Sequence, residues 1–127
     1  MEIKAHFNEI YANILSWVND LTFYKDELNV FQTRLEEVAK QNNKLEVMTE
    51  VEHFQNQFIR QHEVIDTLKH DLKKFNNTIV ENISKNPVAS DRRTTAAPVE
   101  LEDQYQTFLK IYNELKADFE KFLVKTY

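Results

Sequence analysis

Two short stretches carry residue types that could do chemistry. Glu50-Val-Glu-His53 sets a carboxylate and an imidazole three residues apart, which puts both on one face of a helix. Dinuclear metal sites inside helical bundles use this spacing twice and add a Glu from each of two further helices. This chain has one such Glu-x-x-His pair on that helix, and residues 98–126 contain no His. With Val51 and Phe54 taken as core, Glu50 flanks the seam and His53 points outward. Ligands of a buried site must project inward, so no metal and no cofactor is expected here.

The second stretch is His70-Asp-Leu-Lys73. It resembles the His-x-Leu-Lys core of histidine phosphotransfer domains, which are helical bundles of about this length. The resemblance spans four residues. It implies His70 as the phosphoacceptor and Lys73 as a cation that helps hold the phosphoryl group. Family members carry a small residue, usually Gly, after that Lys, where this chain has Lys74. His6 and His62 flank core positions and suggest no grouping. Cys is absent, which removes disulfides, thiolate metal sites and Cys nucleophiles. A Ser nucleophile needs a strained strand-to-helix turn, and this chain offers none.

Everything else concerns the elements that would position these residues. Gly is absent and Pro occurs only at 87 and 98 among 127 residues. Hairpins and phosphate loops need φ > 0, which Gly supplies at least cost, so its absence argues against β-rich and α/β folds together, although Asn, which can replace Gly at a turn, is common here. Apolar residues recur at spacings of three and four through Ile3, Phe7, Ile10, Ile14, Trp17, Leu21, Tyr24, Leu28, Phe31, Leu35 and Val38. The rhythm returns from Val47, Val51, Phe54 and Phe58 to Ile65, Leu68, Leu72, Phe75 and Ile79, broken only by Gln61. A third series runs Leu101, Tyr105, Phe108, Tyr112, Leu115, Phe119 and Phe122. An average spacing of 3.5 keeps one seam turned toward partner helices.

Continuing the first series in register past Val38 would place Asn42, Leu45, Thr49, Glu52 and Asn56 in the core, only one of them apolar. The phase break predicts a tight turn at Gln41–Asn43, with Asn43-Lys-Leu-Glu46 as a capping box. Asn86-Pro87 should stop the second helix. Residues 86–98, small, polar and bounded by both prolines, read as a linker. The expected fold is therefore all-α: an antiparallel up-down-up bundle of three long helices with coiled-coil-like heptad packing. Helix boundaries are expected at about 2–41, 43–85 and 98–126, in a single domain.

The third helix is too short to cover the hairpin made by the first two. If it starts near the bottom and leaves the upper end open, the uncovered seam comprises Leu28, Phe31, Leu35 and Val38 with Val47, Met48, Val51 and Phe54 opposite. The linker could instead climb the hairpin and leave the lower end open. An apolar seam of that length exceeds what monomers usually expose, so a homodimer is expected. Leu15, Val18, Phe23 and Val30 form a second, outer apolar set on helix 1. Gln61 is a polar residue at a seam position, of the kind that fixes register at some cost in stability.

Net charge is −5, with Lys and Arg interleaved among Glu and Asp. No segment has the basic footprint of a nucleic-acid binder. No run approaches the roughly 18 apolar residues of a membrane span, and the N-terminus has no apolar core of a secretory signal. A cytoplasmic location is expected, with no nucleic-acid or membrane partner. The function expected is a non-enzymatic structural or protein-interaction bundle that self-associates through the uncovered hairpin. The alternative is a small bundle with an active histidine, binding metal or transferring phosphate at His70.

Overall fold

The computed structural model describes residues 2–85 and 97–126, with side chains from 8 to 81 and from 99 to 126. Three α-helices account for nearly all of them: α1 Glu2–Gln41, α2 Leu45–Lys85 and α3 Ala97–Thr126. Among the described residues there is no strand. At about 1.5 Å per residue, α1 and α2 are each roughly 60 Å long and α3 roughly 45 Å. Residues 86–96 of the expected linker, with Arg92 and Arg93, lie outside the described residues, as do the side chains of Ile3, His6 and Phe7.

Cross-helix bonds fix the topology. Lys25 meets Asp66 at 2.7 Å, Gln32 meets His62 at 3.0 Å and Tyr11 meets Asn76 at 3.4 Å, so α1 and α2 run antiparallel. Tyr105 bonds Asp20 and Tyr112 bonds Glu27, a constant offset that makes α3 parallel to α1. The molecule is an up-down-up bundle of three long helices.

The turn between α1 and α2 occupies Asn42–Lys44. Its capping side chain is Asn42, whose Nδ2 donates to the Val38 carbonyl at 3.1 Å. Asn43 does not open the second helix as a capping box would require. The first turn of α2 is instead closed by the Met48 amide donating to the Lys44 carbonyl at 3.0 Å. One of the carbonyls that α1 leaves unpaired at its end is thus satisfied by the residue that breaks the heptad phase.

The core follows the heptads. Ile14, Leu21, Leu28 and Leu35 on α1 meet Phe58, Ile65, Leu68, Leu72 and Ile79 on α2. Tyr105, Phe108, Tyr112, Leu115, Phe119 and Phe122 bring α3 onto both. Two positions depart from the expected seams. Val18, assigned to an outer set with Leu15, Phe23 and Val30, is buried, whereas those three are exposed. A helix flanked by two partners buries a stripe wider than a two-helix seam, and Val18 lies on its α2 side. Asn76, one residue past the seam position Phe75, is also buried, while Phe75 is only partly so.

The open end is not where the length mismatch first suggested. Leu28, Leu35, Val38, Val51 and Phe54 are buried in the core, and Phe31 and Val47 pack against it. Of those eight residues only Met48 is exposed. The cover is α3 itself. Its last turns carry Phe119 and Phe122, whose rings lie 5.4 and 5.1 Å from that of Phe54. Lys125 then reaches Glu50 at 3.1 Å. Because α3 ends level with the tip, its start falls short of the base. Tyr105 stacks on Trp17, so Ala97, eight residues earlier, lies about 12 Å nearer the base, roughly level with Ile10. The hairpin below that level projects beyond α3.

Candidate functional site at the base of the hairpin

Three grooves run between the helices, and cross-helix bonds close them unevenly. Between α1 and α3 the closure is aromatic. Trp17 stacks on Tyr105 at 5.5 Å, Tyr24 lies 4.9 Å from Tyr112, and Phe31 lies 5.4 Å from Phe119. Two phenols add bolts. The Tyr105 hydroxyl donates to Asp20 Oδ2 at 2.8 Å and the Tyr112 hydroxyl to Glu27 Oε1 at 2.7 Å. Lys116 neutralises the other Glu27 oxygen at 3.1 Å. Burial first, and the neighbouring carboxylates second, hold both phenols well above their usual range, so they stay neutral donors.

Between α1 and α2, on the face away from α3, the middle is bridged by polar pairs. Lys25 and Asp66 form an ion pair at 2.7 Å, and the Lys25 bond holds the Asp66 carboxyl below its usual range. His62 Nε2 lies 3.0 Å from Gln32 Oε1. Burial, aided by the Lys25 charge and opposed by Asp66, lowers the His62 pKa. The imidazole is thereby favoured in its neutral form, with Nε2–H donating to the amide oxygen.

Below these bridges the same groove opens. Tyr11, Leu15 and Val18 of α1 face Lys73, Asn76, Asn77 and Val80 of α2 across it. Leu15 is 42% exposed, Tyr11 38% and Val80 54%. At the bottom sits Asn76, which is buried. Its Nδ2 makes the long bond to the Tyr11 carbonyl, and its Oδ1 is enclosed without a hydrogen-bond partner. Such an acceptor costs roughly 1–3 kcal/mol. Apolar side chains turned outward thus surround a polar floor that is unsatisfied among the described residues.

The residues with chemical potential are not gathered here. Glu50 is engaged by Lys125, and the exposed His53 ring sits edge-on to Phe54 at 5.6 Å. Among the described residues, no three His, Cys, Asp or Glu side chains converge in the manner of a metal site. His70 is exposed on α2, and Lys73 beside it lines the base groove. Sequence reasoning missed Tyr11, Asn76 and Val80. The available signal was the 100° step between residues: Asn76 lies one position beyond Phe75, toward the face that carries Lys73 and Val80.

Comparison of the chain with family models, with curated proteins and with solved structures finds no match. No helix among the described residues is long and apolar enough to cross a membrane.

Proposed function

We propose that this protein is a non-enzymatic structural or interaction bundle that pairs with a second copy of itself through the base of the α1–α2 hairpin. The observation that carries this reading is the groove between α1 and α2 on the face away from α3, where Tyr11, Leu15 and Val80 stay exposed around a floor of Asn76. Two such faces can cover one another as a four-helix bundle, removing apolar surface that is exposed among the described residues. The acidic, evenly mixed surface supports a protein partner over nucleic acid. The working location proposed is the cytoplasm.

The test is solution mass by light scattering behind size exclusion. The expected mass is near twice the chain's 15.2 kDa, reverting to one chain when Leu15→Glu and Val80→Glu are introduced together. A monomer at every concentration, or a dimer indifferent to both charges, would refute self-association through this surface.

A further inference from the structure

The third groove, between α2 and α3, holds a separate feature. At the tip it is closed by the Lys125–Glu50 pair. Nearer the middle, no hydrogen bond or ion pair among the described residues crosses it. A cavity of about 580 Å³ opens there. Leu68 and Phe108 form its floor, with Val64 and Ile111 as apolar walls. Gln61 also lines it. This side chain is only 4% exposed, yet none of its polar atoms has a hydrogen-bond partner among the described residues. Those atoms are not sealed off as the Asn76 oxygen is, and the cavity that Gln61 lines gives them access. Gln61 is the same residue that interrupts the α2 heptad.

We propose that this cavity is a binding site for a small neutral molecule with a flat apolar body and one carboxamide-like edge. The size lies within the usual range for small-molecule pockets, and such pockets pair apolar walls with a few placed polar groups. A primary amide side chain offers a donor and an acceptor in one plane, and its best complement is another amide edge. The rim carries both signs, Arg60 with Glu63 and Asp103, so it offers no strong field of one sign to draw an ion. Water meets the Gln61 amide in the cavity, and a ligand with a matching amide edge replaces that water with a paired donor and acceptor while covering the apolar walls. The site is separate from the base groove and does not depend on self-association.

The experiment is a two-dimensional amide NMR titration of the full chain with benzamide as the probe and toluene as its apolar counterpart. Benzamide is expected to shift the Val64, Thr107 and Ile111 signals saturably, and to bind about tenfold more tightly than toluene. Gln61→Leu, which removes a buried polar group and should keep the fold, is expected to erase that preference while leaving toluene binding intact. Ile111→Asp, at an exposed wall position, is expected to abolish both. No saturable shift at these residues up to the solubility limit would overturn the proposal. So would a benzamide preference that survives Gln61→Leu.

Discussion

The two ends of the hairpin are built from the same heptad rhythm and have opposite fates. At the tip, Phe31, Phe54, Phe58, Phe119 and Phe122 form one ring cluster from all three helices, with centroids 5.0–6.2 Å apart. A polar turn closes it, and Lys125–Glu50 braces its side. Toward the base, on the face away from α3, the α1–α2 groove leaves three apolar side chains exposed, and an amide oxygen is enclosed without a partner among the described residues. The tip buries its apolar surface within the chain, whereas the α1–α2 groove toward the base leaves apolar side chains exposed among the described residues. Exposed aromatic content therefore does not follow from aromatic sequence. It follows from which faces the three helices turn toward one another.

The sharpest way to break this comparison is to truncate one apolar side chain at each end. Phe119 is fully buried among four other rings. Phe119→Ala is expected to cost about 3–5 kcal/mol, lost transfer energy plus a cavity. Leu15→Ala at the base, measured where the chain is monomeric, is expected to stay within about 0.5 kcal/mol of the parent. Urea denaturation at low protein concentration reads both. A Phe119→Ala loss under about 1 kcal/mol would mean that α3 is not seated on the tip in solution.

Much of this architecture was legible in the sequence, and the limits have physical causes. The phase break after Val38 located the turn, since a helix cannot change which face it buries without interruption. The three heptad series defined three long helices. Which end α3 covers was not legible, because a heptad records that a face is buried and not by what. That choice rests on the match of Phe119 and Phe122 to Phe54 and Phe58, and on the level set by Tyr105 and Tyr112 bonding Asp20 and Glu27. Val18 was misassigned because a seam drawn for one partner omits the flank that meets a second. Asn76 was hidden by Phe75, which kept the heptad intact on paper while the helix turned its neighbour inward.

A smaller effect is expected at that buried amide. Asn76→Leu removes the enclosed Oδ1 and trades the long Nδ2 bond to the Tyr11 carbonyl for apolar contact with Val18 and Ile79. Replacing an unsatisfied buried polar group by an apolar one of similar volume is expected to stabilise the chain by about 1 kcal/mol. A higher urea midpoint with unchanged slope is the result in view. A lower midpoint would show that the oxygen finds a donor in solution, and the base would then be a satisfied surface much like the tip.

The smallest effect tests where closure of the α1–α2 groove ends. His62 lies between the tip and the open base, facing Gln32 and Lys25 across from α1 and Asp66 on its own helix. Burial, then the Lys25 charge, lowers its pKa below 6.5 in the folded state, with Asp66 pulling the other way. A group whose folded pKa is depressed binds its proton more readily when unfolded. Its contribution to stability is thus complete above about pH 6.5 and drains away as pH falls toward the folded value. The Nε2–H bond to Gln32 survives protonation, so the loss comes from desolvating the imidazolium beside Lys25. The urea midpoint is expected to fall modestly between pH 7.5 and 5, and to fall less in His62→Gln, which keeps a polar side chain of similar reach. Equal slopes in the two proteins would mean that His62 is as well solvated as in the unfolded chain. The open stretch of the groove would then extend upward from Asn76 past the Lys25–Asp66 bridge, and the surface available to a second copy would be longer than the base alone.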